Sequence, residues 1–246
     1  MPDGLYLYGI FPTPGPQNLE LEGLDKQPIH THEIDGFIFL YSATQQSRYL
    51  ASRKNLLGHE RVLEQAMHAG YRTLLPLQFG LIIEDWDAVT QQLTVPHGDR
   101  LHHLFSQLDG YREVGVKLFW EQESELQRLL AENPTLKAQR DNLEGKTLTM
   151  DEVVSIGQAI ERSLDSRKRT IIEAFRAALN SLAVNMVEND SLTEAMIYNA
   201  AYLIPWDTEA NFSEQVETLD RQFEGRLKIR YNNFTAPFNF AQLNRE

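Results

Sequence analysis

The segment His59–Ile83, HERVLEQAMHAGYRTLLPLQFGLII, changes its hydrophobic period halfway along. In its first half, the apolar residues recur with the spacing of one helix face, at Val62, Leu63, Ala66 and Met67. Gly70 stands where such a helix would end. From Leu74 to Ile83 the chain is almost continuously apolar, which is typical of a strand buried on both faces, or of an edge-to-centre strand in which Pro76 stands where no ladder donor is needed. The segment therefore predicts an αβ unit, whose apolar faces need further layers to cover them.

Composition narrows the possible classes of protein. The 246 residues suffice for one large domain or two ordinary ones, and the formal net charge is −12. An acidic surface repels phosphate backbones, so nucleic acid is not an expected partner. The absence of Cys excludes disulfides and thiolate chemistry and fits a cytoplasmic location. We see no signal peptide and no run long enough to span a membrane.

The amino-terminal part is predicted to be a small antiparallel sheet with helices on one face. Its expected strands, besides Leu74–Ile83, are Gly4–Phe11, Glu33–Tyr41 and Tyr111–Trp120. Asp35-Gly36 is either a tight turn or a bulge. After Ile83 we expect a helix with Asp85 and Asp87 as its N-cap candidates, an interruption at Pro96-His97-Gly98, and a second helix capped by Asp99. This order, β-β-α-β-α-β, departs from the strict ferredoxin-like order.

The middle of the chain is predicted to be helical. Gln122–Glu132 has an amphipathic pattern, and Leu136–Leu148 is polar. A longer pattern begins at Thr149 or Asp151 and continues to about Val187. Its apolar stripe is Val153, Ile156, Ile160, Leu164, Ile171, Phe175, Ala178, Leu182 and Met186. The stripe is interrupted at a basic run, Arg167-Lys168-Arg169, which is either a solvated face with packed stems or an acceptor for an acidic partner surface.

The final third is predicted to be a β-α-β module. Ala195–Pro205 reads as a strand, a helix with Phe212 and Val216 on its apolar face follows, and Arg226–Phe234 alternates like a strand. The expected architecture is α+β with two domains, an antiparallel sheet with helices on one face first and long helices with the β-α-β module second. The predicted limits are 1–120 and 121–232, followed by an aromatic tail at 233–246.

The tail places Phe234, Phe238 and Phe240 around Pro237, which is too apolar for a free terminus. Either it packs on its own protein or it meets a partner. We expect deletion of everything after Asn232 to weaken partner binding and to leave the fold intact.

The sequence contains no complete catalytic set that we can identify. His59-Glu60 begins like a metalloprotease helix, but Leu63 replaces the second His. Acidic residues after Ile83 could hold a hard cation, although helix capping already accounts for them. Nucleotide-binding glycine loops and nucleophile elbows are absent. We therefore expect no enzyme, no cofactor and no metal.

Several segments together resemble the gas vesicle protein F/L family. These are LYLYGIF at 5–11, GHERVLEQAM at 58–67, LLPLQFG at 74–80, REVGVKLFW at 112–120, and AAYLIP at 200–205 followed by LKIRYNNFTAPFNF at 227–240. Their order and spacing carry the resemblance over nearly the whole chain, and it is strongest to the cyanobacterial F branch. Family members often end in a Gly-Pro-Trp-Pro-Pro-Tyr type motif, and here Ala236–Phe240 differs from it.

The resemblance implies an amino-terminal domain of modified ferredoxin-like type. It also implies an accessory protein of gas vesicle assembly that is located at the vesicle and contacts its small hydrophobic shell protein, of the GvpA type, with other accessory proteins as further candidate partners. Such a protein needs exposed apolar surface on a charged body. The candidates are the tail aromatics, the basic run, and the stripe of the long helix if part of it is uncovered. Two alternatives stay open: a small-molecule-binding regulatory or enzymatic ferredoxin-like protein, and an RNA-binding one, for which only Arg226, Lys228 and Arg230 offer a basic stripe.

Overall fold

The computed structural model describes residues 4–17, 19–141, 149–223 and 225–243. It confirms the α+β class. The chain divides into two compact units, which we call unit 1 and unit 2. Unit 1 comprises Met1–Val114, Leu203–Asp207 and Asn233–Glu246, and unit 2 comprises Gly115–Tyr202 and Thr208–Asn232.

Unit 1 contains an antiparallel sheet of five strands within the described residues. Its strands are β1 (Gly4–Pro12), β2 (His30–Ile34), β3 (Phe37–Thr44), β4 (Leu75–Pro76) and β5 (Ile82–Ile83). The order is β2-β3-β1-β4, and β5 also pairs with β1. β1 is buried almost throughout because it is the central strand.

The predicted strand at Glu33–Tyr41 is a hairpin. Ile34 pairs with Phe37, so Asp35 and Gly36 form a two-residue turn between β2 and β3. Both have positive φ, at 51° and 82°, which is the geometry that matches the twist of the flanking strands. The turn alternative is therefore confirmed, and the bulge is not.

The single buried strand predicted at Leu74–Ile83 is wrong. Leu75 pairs with Ile10 and Ile82 with Tyr6, and the chain between these two short strands leaves the ladder. Gly80 has a φ of 89° and donates its N–H to the hydroxyl oxygen of Tyr6 at 3.0 Å, a contact that a regular strand would not make. The apolar run therefore indicates that the segment is buried, and not that it forms one extended strand.

In the helices of unit 1, the buried residues agree with the prediction more closely than the first and last residues do. α1 is Arg53–His68 and begins at Ser52, whose side chain accepts from the Asn55 N–H. Val62, Leu63, Ala66 and Met67 are all buried, as predicted. Asp85 caps α2 (Trp86–Val89), also as predicted. The interruption at Pro96 and the cap at Asp99 are wrong: one π-helical turn, Thr90–Thr94, leads into α3 (Val95–Leu108), and Pro96 lies in its first turn, where no N–H is needed.

The second sheet has the order β7-β8-β6-β9. Its strands are β6 (Tyr111–Trp120), β7 (Asn185–Glu188), β8 (Met196–Pro205) and β9 (Leu227–Thr235). The expectation that β6 completes the amino-terminal sheet is wrong. β6 lies between β8 and β9, so the predicted β-α-β strands are not neighbours. An alternating pattern identifies a half-buried strand but does not say which sheet it joins.

Four helices are described in the chain of unit 2: α4 (Gln122–Glu132), α5 (Pro134–Asp141), α6 (Met150–Leu179) and α7 (Glu209–Gln222). α6 begins with a capping box between Thr149 and Glu152. It ends at Leu179 and not near Val187, because the chain there enters β7. α5 occupies the start of the stretch predicted to be polar, and 142–148 lie outside the described residues. Among the helices that the structure describes, none is long and apolar enough to cross a membrane.

Candidate functional site

The tail aromatics pack within unit 1. Phe234 stacks on His68 with ring centroids 4.0 Å apart, and Phe238 packs against the same apolar cluster as Phe234. Phe240 packs against the second cluster, which contains Leu7 and Phe37. All three phenylalanines are half-buried. Their role in partner binding stays a prediction, but a large part of each ring already has an intramolecular contact.

A buried carboxylate holds the same tail. Glu113, at 4% exposed, accepts the backbone N–H of Asn239 at 2.9 Å and its side-chain amide N–H at 2.7 Å. Burial raises the pKa of Glu113 to about 7, although these two donors act in the opposite direction. Ala236 is fully buried. Truncation after Asn232 would therefore remove part of the unit 1 core, contrary to the expectation that it leaves the fold intact.

The basic run of α6 is divided by the structure. Arg167 is largely buried, pairs with Glu132, and reaches Glu125 at 3.6 Å. Lys168 is half-buried and Arg169 is exposed, with its Nε donating to the carbonyl of its own helix at Asp165. The three side chains therefore do not form one basic surface, and Arg167 belongs to an ion-pair cluster.

Glu125 is the centre of that cluster. It is 1% exposed and accepts from Arg226 through both oxygens, at 2.9 and 2.7 Å. The Arg226 hydrogen bonds lower the pKa of Glu125, with the charges of Arg226, Arg167 and Arg128 acting in the same direction. The sequence alone does not reveal the pair of Glu125 and Arg226, because its members are 101 residues apart.

The apolar stripe of α6 is covered only along its second half. Leu164, Ile171, Phe175 and Leu179 are buried. Toward the amino-terminal end, Val153 is 44% exposed, and Ile156 and Ile160 are half-buried. Val153 lies 18 residues before Ile171, which is five helical turns, so both are on the same line of the helix. The sequence shows the stripe but not where its cover stops.

The most polar part of the unit 1 core surrounds His59. The Tyr6 hydroxyl lies 2.9 Å from Nδ1, and Nε2 lies 3.1 Å from the carbonyl oxygen of Leu77. Since the Leu77 carbonyl can only accept, Nε2 carries the proton and Tyr6 donates to Nδ1. Burial lowers the pKa of His59 to about 4, which keeps it neutral at pH 7. These contacts stabilise the packing of α1 on the sheet.

The described residues contain no group of three or more His, Cys, Asp or Glu side chains arranged to hold a metal ion. The acidic residues after Ile83 illustrate why: Asp85 uses its carboxylate to accept from the Ala88 N–H at 2.9 Å.

Comparison with known proteins gives one consistent result. A model of the family described as "Gas vesicle synthesis protein GvpL/GvpF" matches residues 4–242. The chain is 58% identical to gas vesicle protein F of Dolichospermum flosaquae, over 97% of this chain and 98% of that protein. It is 56% identical to gas vesicle protein F of a Nostoc species, over 99% and 100%.

Two solved structures are also similar. The crystal structure of GvpF from Anabaena sp. PCC7120 has a TM-score of 0.90 and 55% identity, and covers 99% of this chain and 100% of that one. The crystal structure of GvpF from Microcystis aeruginosa has a TM-score of 0.85 and 54% identity, over 98% and 99%.

Proposed function

The chain belongs to the gas vesicle synthesis protein GvpL/GvpF family, and we propose that it is a non-catalytic accessory protein that binds the small apolar shell protein during vesicle nucleation or growth. The observation that supports this role is the uncovered part of the α6 stripe, which we call the open stripe and define as Val153, Ile156 and Ile160. It is the stretch of this helix whose apolar line has no complete cover.

The open stripe fits an apolar partner better than the tail does. Its residues recur at i, i+3 and i+7, the spacing by which an amphipathic helix docks on an apolar groove or a second helix. Phe234, Phe238 and Phe240 already pack within unit 1. The shell protein is the proposed occupant, because a subunit that forms a gas-facing wall has apolar surface that must be shielded from water before it assembles.

Acidic side chains flank the open stripe and support the same role. Asp151, Glu152 and Glu161 are exposed on the same half of α6. A charged border allows an apolar face to stay exposed without promoting non-specific self-association. The net charge of −12 for the whole chain acts in the same direction.

The test compares two neighbouring valines of equal exposure. Val153 belongs to the open stripe, whereas Val154, at 48% exposed, lies about 100° around the helix from it. The substitution Val153→Ser should reduce the amount of co-expressed shell protein that copurifies with the tagged chain by about fivefold, equivalent to roughly 1 kcal/mol of lost apolar contact.

Val154→Ser is the matched control, because it changes helix propensity in the same way. We expect it to retain the wild-type amount of shell protein. Equal losses for the two variants would contradict binding through the open stripe. No copurification of shell protein with the wild-type chain would contradict the proposed partner.

A further inference from the structure

Unit 2 contains a cavity of about 380 Å³ beside the basic run. Its polar walls include Arg167, Arg226 and Ser166, and its apolar walls include Ile171 and Phe223. Two guanidinium groups next to an apolar wall form a chemically specific combination: the arginines recognise an anion, and the apolar wall accommodates a carbon stem.

The two arginines differ in how fully their intramolecular partners use their N–H groups. Arg226 uses Nε and Nη2 in its fork around Glu125, and no described residue accepts from its Nη1. Arg167 reaches Glu125 only at 3.6 Å, and its closer partner is Glu132. The side chain of Glu132 is 65% exposed, so this second pair lies at the mouth of the cavity.

The charges around Glu125 allow an incoming carboxylate to replace that of Glu132. Glu125 is buried and fixed, while Arg226, Arg167 and Arg128 all act on it. If Glu132 swings into solvent, the cationic charge around Glu125 exceeds the anionic charge. An exposed ion pair contributes only about 0–1 kcal/mol, so an incoming carboxylate can replace Glu132 at little cost.

We infer that this cavity binds an acidic side chain of a partner protein, whose carboxylate takes the place of Glu132 on Arg167 and also reaches Nη1 of Arg226. Glu132 itself shows that a glutamate side chain can reach Arg167 from the mouth of the cavity. The stem of the incoming side chain lies against Phe223 and Ile171. Because the chain carries a net charge of −12, general attraction to anions does not explain such binding.

The site goes beyond the proposed function and rests on it only for the identity of the partner. Its chemistry can be tested without the shell protein. The probe is N-acetyl-glutamate methylamide, and its neutral counterpart is N-acetyl-glutamine methylamide. Binding to the full-length chain is followed by NMR through the Nε–Hε signals of Arg167 and Arg226.

Two substitutions should have opposite effects. Glu132→Gln removes the intramolecular competitor, so the glutamate probe should bind about fivefold more tightly, the equivalent of one exposed ion pair. Arg167→Gln removes the receptor and should weaken binding by at least about fivefold. Arg169→Gln, in the same basic run but outside the cavity, should leave the Kd unchanged.

The proposal is overturned if Glu132→Gln binds the probe no more tightly than the wild type, or if the glutamine probe binds equally well. Glu132→Gln leaves the buried Glu125 pair in place, so this arm stays decisive even if Arg167→Gln unfolds unit 2. Failure of both probes together with normal copurification of the shell protein would reject this site and leave the proposed function standing.

Discussion

Two buried glutamates of this chain have opposite electrostatic environments. Glu113 in unit 1 and Glu125 in unit 2 are 4% and 1% exposed. Burial raises the pKa of Glu113 to about 7, whereas hydrogen bonds from Arg226 lower the pKa of Glu125. The difference lies in the donors: Glu113 is bound by the two neutral N–H groups of Asn239, and Glu125 by cationic side chains.

This comparison shows that burial alone does not determine the charge of a carboxyl group. Removing a carboxylate from water disfavours its ionised form, and two neutral hydrogen bonds only partly offset that penalty. Paired guanidinium groups offset it completely. Glu125 is therefore an ionic anchor for α4 and the chain after α7, while Glu113 is a buried group whose ionisation destabilises the fold.

The largest expected effect is on Glu125. Glu125→Gln leaves two largely covered arginines without their shared anion, and we expect the free energy of unfolding to fall by about 3 kcal/mol at pH 7. Because its folded pKa is lowered, the stabilising contribution of Glu125 is present above its usual pKa of 4.5 and is lost as the pH falls through the lower folded value.

Urea denaturation followed by circular dichroism at pH 7 measures the Glu125 effect. Glu132→Gln is the matched control on the same helix, and because its side chain is 65% exposed it should lower the free energy of unfolding by no more than about 1 kcal/mol. If the two variants lost equal stability, Glu125 would be no more important than a surface ion pair.

An effect of similar size but opposite pH dependence is expected for Glu113. The unfolded chain ionises this group near its usual 4.5, and unit 1 does so only near 7. Its contribution is therefore complete below pH 4.5 and is lost as the pH rises to about 7, by about 3 kcal/mol. Glu113→Gln removes the ionisable group and therefore this loss. The free energy of unfolding of the variant should rise relative to that of the wild type between pH 5 and pH 8.

The measurement is the urea midpoint of both proteins at pH 5 and pH 8. Glu84→Gln, an exposed position in unit 1, is the control and should follow the wild type at both values. If the difference in urea midpoint between the wild type and Glu113→Gln stayed constant with pH, Glu113 would ionise normally despite its burial.

The sequence predicts the elements of both regions but not these contacts. The strand at Tyr111–Trp120 and the helix at Gln122–Glu132 have the predicted limits, because each has a regular apolar period. Glu113 and Glu125 are polar residues on otherwise apolar patterns, which gives no sign of what they bind. Their partners lie 126 and 101 residues away, and such pairs depend on the sheet order.

The errors in the predicted fold also arise because a local sequence pattern does not specify tertiary contacts. β6 has the pattern of any half-buried strand, and its position between β8 and β9 follows from tertiary pairing. The spacing of the α6 stripe predicts a helix as far as Met186, yet Met186 belongs to β7. For the candidate site, the stripe itself was predictable. Its exposure around Val153 was not, since exposure depends on which elements pack there.

The smallest expected effect concerns the neutral hydrogen bonds that Asn239 donates to Glu113. Asn239→Ala removes the amide donor at 2.7 Å and keeps the backbone donor at 2.9 Å, so stability should fall by about 1 kcal/mol at pH 8, where Glu113 is ionised. Because that amide also lowers the pKa of Glu113, its loss should move the pKa further upward, which ¹³C NMR of the carboxyl group measures. At pH 5 the stability loss should be smaller, since a protonated carboxyl accepts hydrogen bonds more weakly than a carboxylate. An unchanged pKa in the variant would mean that Asn239 does not interact with the charge of Glu113, and that burial alone sets the pKa of this group.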